Sequence, residues 1–198
     1  MDKPFAQSCV ENREPILAVL RARLYECRRL LEIGSGTGQH AVYFAPELGQ
    51  VFWQTSDKHE NHAGILAWLS DSRATNIGRP IALDVLHDPW PSSGFDAVFS
   101  ANTAHIMPLD AVEAMFRGVG SVLNPGGRFL LYGPFNYNGR FSSDSNERFD
   151  GWLRQQDPAM GIRDLSVLEV FATAAGMHLQ EDIEMPVNNR TLIWGKER

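Results

Sequence analysis

The chain has 198 residues, 43% hydrophobic and 21% charged, with a formal net charge of −6. That length buries one substantial core, so a single domain spanning 1–198 is expected, of a composition ordinary for a soluble enzyme. The run of roughly 18 apolar residues that a membrane span needs is absent, and an acidic chain without a basic block, zinc-finger spacing or RNA-binding aromatic signature disfavours nucleic acid as a partner.

Residues 5–28 are expected to form an N-terminal helical segment. From Glu11 to about Arg28, Ile16, Leu17, Leu20 and Leu24 recur at helical spacing, with Pro15 in the first turn. Asn12 and Arg13, in its polar start, are candidates to reach into a site; the alternative is a plain surface helix start. Cys9 and Cys27, the only cysteines, lack metal-ligand spacing and read as reduced thiols, and Met1–Phe5 lacks an apolar signal segment. A cytoplasmic protein with no metal is the expectation, monomeric or homodimeric.

The strongest signal follows: Leu30-Leu31-Glu32-Ile33-Gly34-Ser35-Gly36-Thr37-Gly38-Gln39-His40. Apolar residues lead into a carboxylate and then into three alternating glycines. That pattern is a buried strand, a tight turn and a helix start, with backbone able to approach a ligand closely. A dinucleotide fingerprint wants glycine at position 39, where Gln stands, and a phosphate-binding loop wants G-K-[ST], which is absent. Glu32 at the strand end would repel a pyrophosphate and suits a ligand carrying an ammonium or a sulfonium; S-adenosylmethionine carries both.

A helix over 39–48 then leads to a strand over 51–55 that runs on to Asp57. An acid there can take the hydroxyls of a ribose, or can cap the next helix together with Ser56. A helix over 58–70 precedes a strand over 80–83 that ends in Asp84-Val85. The strand 95–100 is almost unbroken in apolar character, as a parallel strand covered on both faces should be, and it runs into Asn102-Thr103-Ala104-His105-Ile106. A helix over 109–123 and the turn Asn124-Pro125-Gly126-Gly127 come before a strand over 127–132. The stretch 133–163 is longer than an ordinary connection and carries a short helix near 147–155; it is either a substrate lid or a structural excursion. A last helix covers 164–175, and two antiparallel strands, 177–185 and 190–196, turn at Pro186–Asn189. Alternating strands and helices imply a doubly wound α/β fold: a mostly parallel sheet with helices on both faces and a C-terminal antiparallel hairpin.

In order and spacing these motifs resemble those of the class I, Rossmann-like S-adenosylmethionine-dependent methyltransferases, over roughly residues 30–198. The resemblance implies a seven-stranded sheet of order 3-2-1-4-5-7-6 and S-adenosyl-L-methionine as cofactor. It places Glu32 toward the methionyl amino group, Gly34 and Gly36 along the methionine moiety with Ser35 and Gly38 completing the loop, Asp57 at ribose, and Asp84 and the Val85 N–H at adenine. Asn102 falls beside the reactive end of the cofactor, and His105 is the candidate general base, although a histidine there also serves as a helix-entry residue. Arg13, Tyr132, Asn136 and Tyr137 are the candidate substrate residues. The Glu11–Leu17 opening with Asn102–Ile106 looks like a family of small bacterial methyltransferase-like proteins. The implied activity is methyl transfer to a small-molecule O, S or N nucleophile. An NAD(P)-dependent oxidoreductase and a non-catalytic S-adenosylmethionine-binding protein are the alternatives; the first leaves Glu32 and Gln39 unexplained.

Overall fold

A computed structural model describes residues 3–197. In chain order the elements are α1 (Gln7–Arg23), β1 (Arg29–Ile33), α2 (Gln39–Glu47), β2 (Phe52–Asp57), α3 (His62–Asp71), β3 (Ile77–Ala82), β4 (Phe95–Ala101), α4 (Leu109–Val122), β5 (Leu123–Gly133), β6 (Phe135–Asn136), α5 (Asp144–Gln156), β7 (Arg163–Asp164), α6 (Leu165–Ala174), β8 (Met177–Met185) and β9 (Asn189–Lys196). The main sheet has the order β3-β2-β1-β4-β5-β9-β8. Its first five strands are parallel, and β9 and β8 close it in antiparallel pairing. This is the doubly wound, seven-stranded class I methyltransferase fold.

Alternation along the central strands divides the core between the two faces of the sheet. Leu31, Val98, Phe129, Leu131 and Trp194 point to one face and pack with Phe116 of α4 and Leu168 of α6. Leu30, Ala97, Phe99, Leu130 and Ile193 point to the other, against Ile16, Leu17 and Leu20 of α1 and Phe44 of α2. Both faces are covered, which is why β1 and β4 read as continuous apolar runs.

Three boundaries depart from the sequence expectation. Within the 5–28 segment the helix is Gln7–Arg23 rather than Glu11 to about Arg28, and Pro15 lies inside it instead of in its first turn. A proline lacks the N–H that an interior position donates, so it drew the expected start too far along the chain. β3 begins at Ile77, ahead of Pro80, because it is an edge strand, where a missing donor is tolerated. The Asn124–Gly127 turn lies within β5: Leu123 pairs with Phe95 and Arg128 with Ala97, and the residues between form an irregularity in the ladder.

The long stretch after β5 is closed at its base. β6 and β7 pair in parallel, Phe135 with Arg163 and Asn136 with Asp164, so α5 stands on a two-strand neck. α4 and α6 approach closely at Gly120, where an added Cβ would run into the Ala175 carbonyl oxygen. In an exposed helix alanine would gain about 1 kcal/mol over glycine. Here the clash is with backbone, and overpacking costs about 1–3 kcal/mol. Gly120→Ala is therefore expected to lower Tm, as read by thermal denaturation.

Candidate active site

The carboxyl ends of β1, β2, β3 and β4 open onto one cavity of about 540 Å³, at the point where the strand order reverses. Ligands of open α/β sheets bind at this position. Gly34–Thr37, Asp57, Asp84, Val85 and Asn102 line it, with Ala6, Ser8 and Cys9 of the N-terminal segment across from them.

The glycine loop has the backbone its sequence demanded. Gly34, Gly36 and Gly38 all have positive φ, at 68°, 58° and 88°. They differ in what surrounds them. A Cβ at Gly34 would lie 2.6 Å from Thr103 Cγ2, and one at Gly38 would press on the Ile65 backbone. A Cβ at Gly36 would meet nothing nearer than the Gly34 carbonyl oxygen at 4.0 Å. Gly36 thus has open space over it, where a ligand can come against the backbone.

Glu32 lies beneath the loop, 2% exposed, rather than on the cavity wall. Ser35 Oγ (2.8 Å) and Trp53 Nε1 (3.0 Å) both donate to its Oε2. Burial outweighs these two donors and pushes the carboxyl up to about 7. Asp57 is built into the loop. Its Oδ2 accepts from the Gly36 N–H (2.7 Å), and its Oδ1 from the Lys58 N–H (2.7 Å) and Asn61 Nδ2 (2.8 Å). Asp84 accepts from the Leu86 N–H at 3.0 Å and pairs with Lys58 at 3.4 Å; those partners, the backbone bond foremost, hold its carboxyl below the usual range.

Gln39, at the position where a dinucleotide fingerprint has glycine, is buried. Its Oε1 accepts from the Ala6 N–H (2.6 Å) and from Thr37 Oγ1 (3.0 Å). This pins the N-terminal segment over the cavity. Trp68 Nε1 donating to the Pro4 carbonyl at 2.7 Å, and the Lys3–Asp71 ion pair, hold the same segment further out.

A second cavity of about 480 Å³ adjoins the first. Ser8 and Asn102 line both. Asn102 has φ 59° and follows β4 directly, so it stands at the doorway between the two. α1 contributes Glu11, Asn12 and Pro15; α5 contributes Ser145, Asn146 and Phe149; the β8–β9 turn contributes Pro186, Val187 and Asn189; His105, Tyr132 and Pro134 complete the wall.

His105 is buried, with its ring edge-on to Phe149 at 5.4 Å. Burial, with Arg163 nearby adding to it, brings its pKa down to about 4. The imidazole is neutral at pH 7. Its loop is fixed from the 133–163 stretch: the Gly161 N–H donates to the His105 carbonyl (2.9 Å), and the Arg163 guanidinium donates to the carbonyls of Ala104 (3.0 Å), Met107 and Ala159. His40, close to the glycine turn, holds Asn12 Oδ1 at 2.8 Å, and burial lowers it to about 4 as well.

Of the four expected substrate residues, only Tyr132 lines the second cavity. Arg13 lies over the Tyr43 ring, with its Cζ 4.5 Å from the centroid. Tyr137 donates to Asp182 at 2.8 Å, and Asn136 belongs to the β6–β7 neck; neither lines the cavity. Sequence reasoning missed Glu11, Asn146, Phe149, Arg163 and the hairpin tip. The tip was within reach: β9 runs antiparallel to β5, so the turn before it must fall at the carboxyl end of β5.

Fold and cradle together define a Rossmann-like domain of class I methyltransferase architecture. The chain belongs to the family described as "Protein of unknown function (DUF938)", which matches residues 3–196. Among solved structures it is similar to the mitomycin 7-O-methyltransferase MmcR (TM-score 0.82, 13% identity, 96% of this chain and 54% of that one). It is similar also to an O-methyltransferase family protein from Burkholderia thailandensis (0.81, 12%, 93% and 56%). A third is human N-acetylserotonin methyltransferase in complex with SAM (0.74, 15%, 94% and 55%). The chain spans little more than half the length of these relatives, and at such identities the likeness is one of fold.

The contrast between two glycines checks the cradle. Valine at either position takes on the roughly 1–2 kcal/mol of a left-handed backbone, but only Gly34→Val also drives into Thr103. Gly36→Val is expected to fold with a modest loss of Tm and to lose S-adenosylhomocysteine binding in calorimetry. Gly34→Val is expected to lose stability far more, as read by denaturation.

Proposed function

We propose that this chain transfers a methyl group from S-adenosylmethionine to a small molecule held in the second cavity. The observation that carries the reading is the pair of adjoining cavities with Asn102 in the doorway, the first of them floored by a glycine loop over a buried carboxylate. The residues present fit the cofactor. Gly36 leaves its backbone open, Asp57 and Asp84 stand at successive strand ends for a nucleoside, and Glu32 lies under the loop for an ammonium. Bound there, the cofactor supplies an electrophilic methyl on a sulfonium.

The dinucleotide reading is disfavoured on two counts. Gln39 and the strap it pins stand where a pyrophosphate would approach the helix N-terminus, and the Asp57 and Asp84 carboxylates put negative charge on the cavity wall.

The chain's own contribution is placement and exclusion of water. In-line displacement needs the acceptor near van der Waals contact with the methyl, and Asn102 and His105 are positioned to orient it. α5, within the 133–163 lid, and the β8–β9 tip close over it. His105 enters this mechanism as a neutral hydrogen-bonding group. With a pKa near 4 it is a weak base, so its part is to hold an acceptor rather than to carry a proton away at pH 7.

The test uses methyl-labelled cofactor with a metabolite extract and, in parallel, total RNA. Label is expected in one or a few metabolites and absent from RNA. His105→Ala is expected to lower the maximal rate at least about tenfold while leaving S-adenosylhomocysteine affinity nearly unchanged. At saturating cofactor, the wild-type rate should show no break near pH 6.5 from His105, which stays neutral down to about pH 4. Label in RNA alone, or an unaffected rate in the variant, would overturn the respective assignment.

A further inference from the structure

The second cavity has a charge character that narrows its occupant. Among the described residues no lysine or arginine lines it, and its only ionised group is Glu11, exposed at the α1 rim. The nearby cations are committed elsewhere. Arg163 is spent on the carbonyls of Ala104, Met107 and Ala159 behind His105, and Arg13 is turned over Tyr43. His105 is neutral, and burial raises the Tyr132 phenol, so it keeps its proton. An anion placed here would leave water without a counter-charge, which is strongly disfavoured.

What the wall does offer is neutral hydrogen bonding and flat apolar surface. Asn102 presents an amide with both donors and an acceptor, Asn146 offers its Oδ1 while its Nδ2 holds Ser142 Oγ and the Asn188 carbonyl, Asn189 adds an amide whose Nδ2 also reaches the Pro186 carbonyl, and Tyr132 and Ser145 add hydroxyls. Phe149 faces the interior, backed by Trp152 stacked on it at 5.9 Å and 12°. Pro15, Pro134 and Pro186 supply further rigid faces. A flat ring bearing polar groups satisfies both halves of such a wall.

We propose that this cavity selects an uncharged, planar small molecule carrying hydroxyl or amide groups, and rejects its carboxylated or phosphorylated counterparts. The proposal rests on the reading of this cavity as the acceptor site, and it names the acceptor's class.

The experiment titrates the full chain with 4-hydroxybenzamide and 4-hydroxybenzoate, probes of one shape that differ in charge. Ligand-observed NMR reads the binding, with and without saturating S-adenosylhomocysteine. The amide is expected to bind at least about tenfold tighter. Ser145→Lys, at an exposed rim position of α5, is expected to raise benzoate affinity several-fold and narrow the preference, with Tm measured to confirm folding. Benzoate binding as tightly as the amide, or neither probe binding a chain that takes up S-adenosylhomocysteine, would overturn the proposal. Amide binding by a chain that fails to take up S-adenosylhomocysteine would keep it and overturn the methyl-transfer reading instead.

Discussion

Glu32 carries a carboxylate into the centre of the sheet with two neutral donors on one oxygen and, among the described residues, no cation beside it. Much of the local architecture is arranged around that group. Trp53 reaches it from β2, Ser35 from the glycine loop, and the Ser56 hydroxyl donates to its backbone carbonyl at 2.6 Å. A buried carboxyl that is pushed up to about 7 is a stability cost that grows as pH rises from its ordinary range through 7, since the folded chain resists giving up that proton. His40 and His105 act in the opposite sense over nearly the same range. Their unfolded counterparts take up protons near ~6.5 and they do not until about 4, so their contribution is lost as pH falls through that window. One buried acid and two neutral histidines lie at or beneath the two adjoining cavities, and shifted groups of this kind cluster at ligand sites.

The same economy governs the backbone. Asn102 sits in the left-handed region where β4 ends, a conformation asparagine tolerates better than most residues. Val187 adopts it too, at φ 60°, at the tip of the β8–β9 hairpin, with its side chain 83% exposed beside the second cavity. A β-branched residue is a poor choice for that turn, where Asn-Gly is favoured. Strain of this kind persists where the surroundings hold it, and Asn146 Nδ2 on the Asn188 carbonyl (3.1 Å) with Asn188 Nδ2 on Ser145 Oγ (3.0 Å) latches the tip to α5.

The sheet and its order were legible because each parallel strand carried its own signature: apolar run, then glycine loop or acid. Gly34, Gly36, Asp57, Asp84 and Val85 meet at one cavity because strand ends of a parallel sheet must, so reading the ends was enough. Glu32 was legible as a residue but not in its placement beneath the loop, which follows from Trp53, a residue on a neighbouring strand. The wall of the second cavity was far less legible. It is assembled from α1, α5 and a hairpin tip distant in sequence, and its residues are amides and prolines whose types carry no motif. Arg13, Asn136 and Tyr137 carry suitable chemistry near the right place in the sequence. The chain turned them toward Tyr43, the β6–β7 neck and Asp182.

The account depends most on the claim that the glycine loop and Glu32 receive a ligand with an ammonium group. Calorimetric titration of the wild-type chain with S-adenosylhomocysteine near pH 6, in two buffers of different protonation enthalpy and against a parallel titration with NADH, tests it directly. Glu32, largely protonated at that pH in the free chain, is expected to ionise beside the incoming ammonium. S-adenosylhomocysteine should therefore bind with release of up to about one proton, and its affinity should rise from pH 5 to 7. Tight binding of NADH with none of S-adenosylhomocysteine would contradict the account.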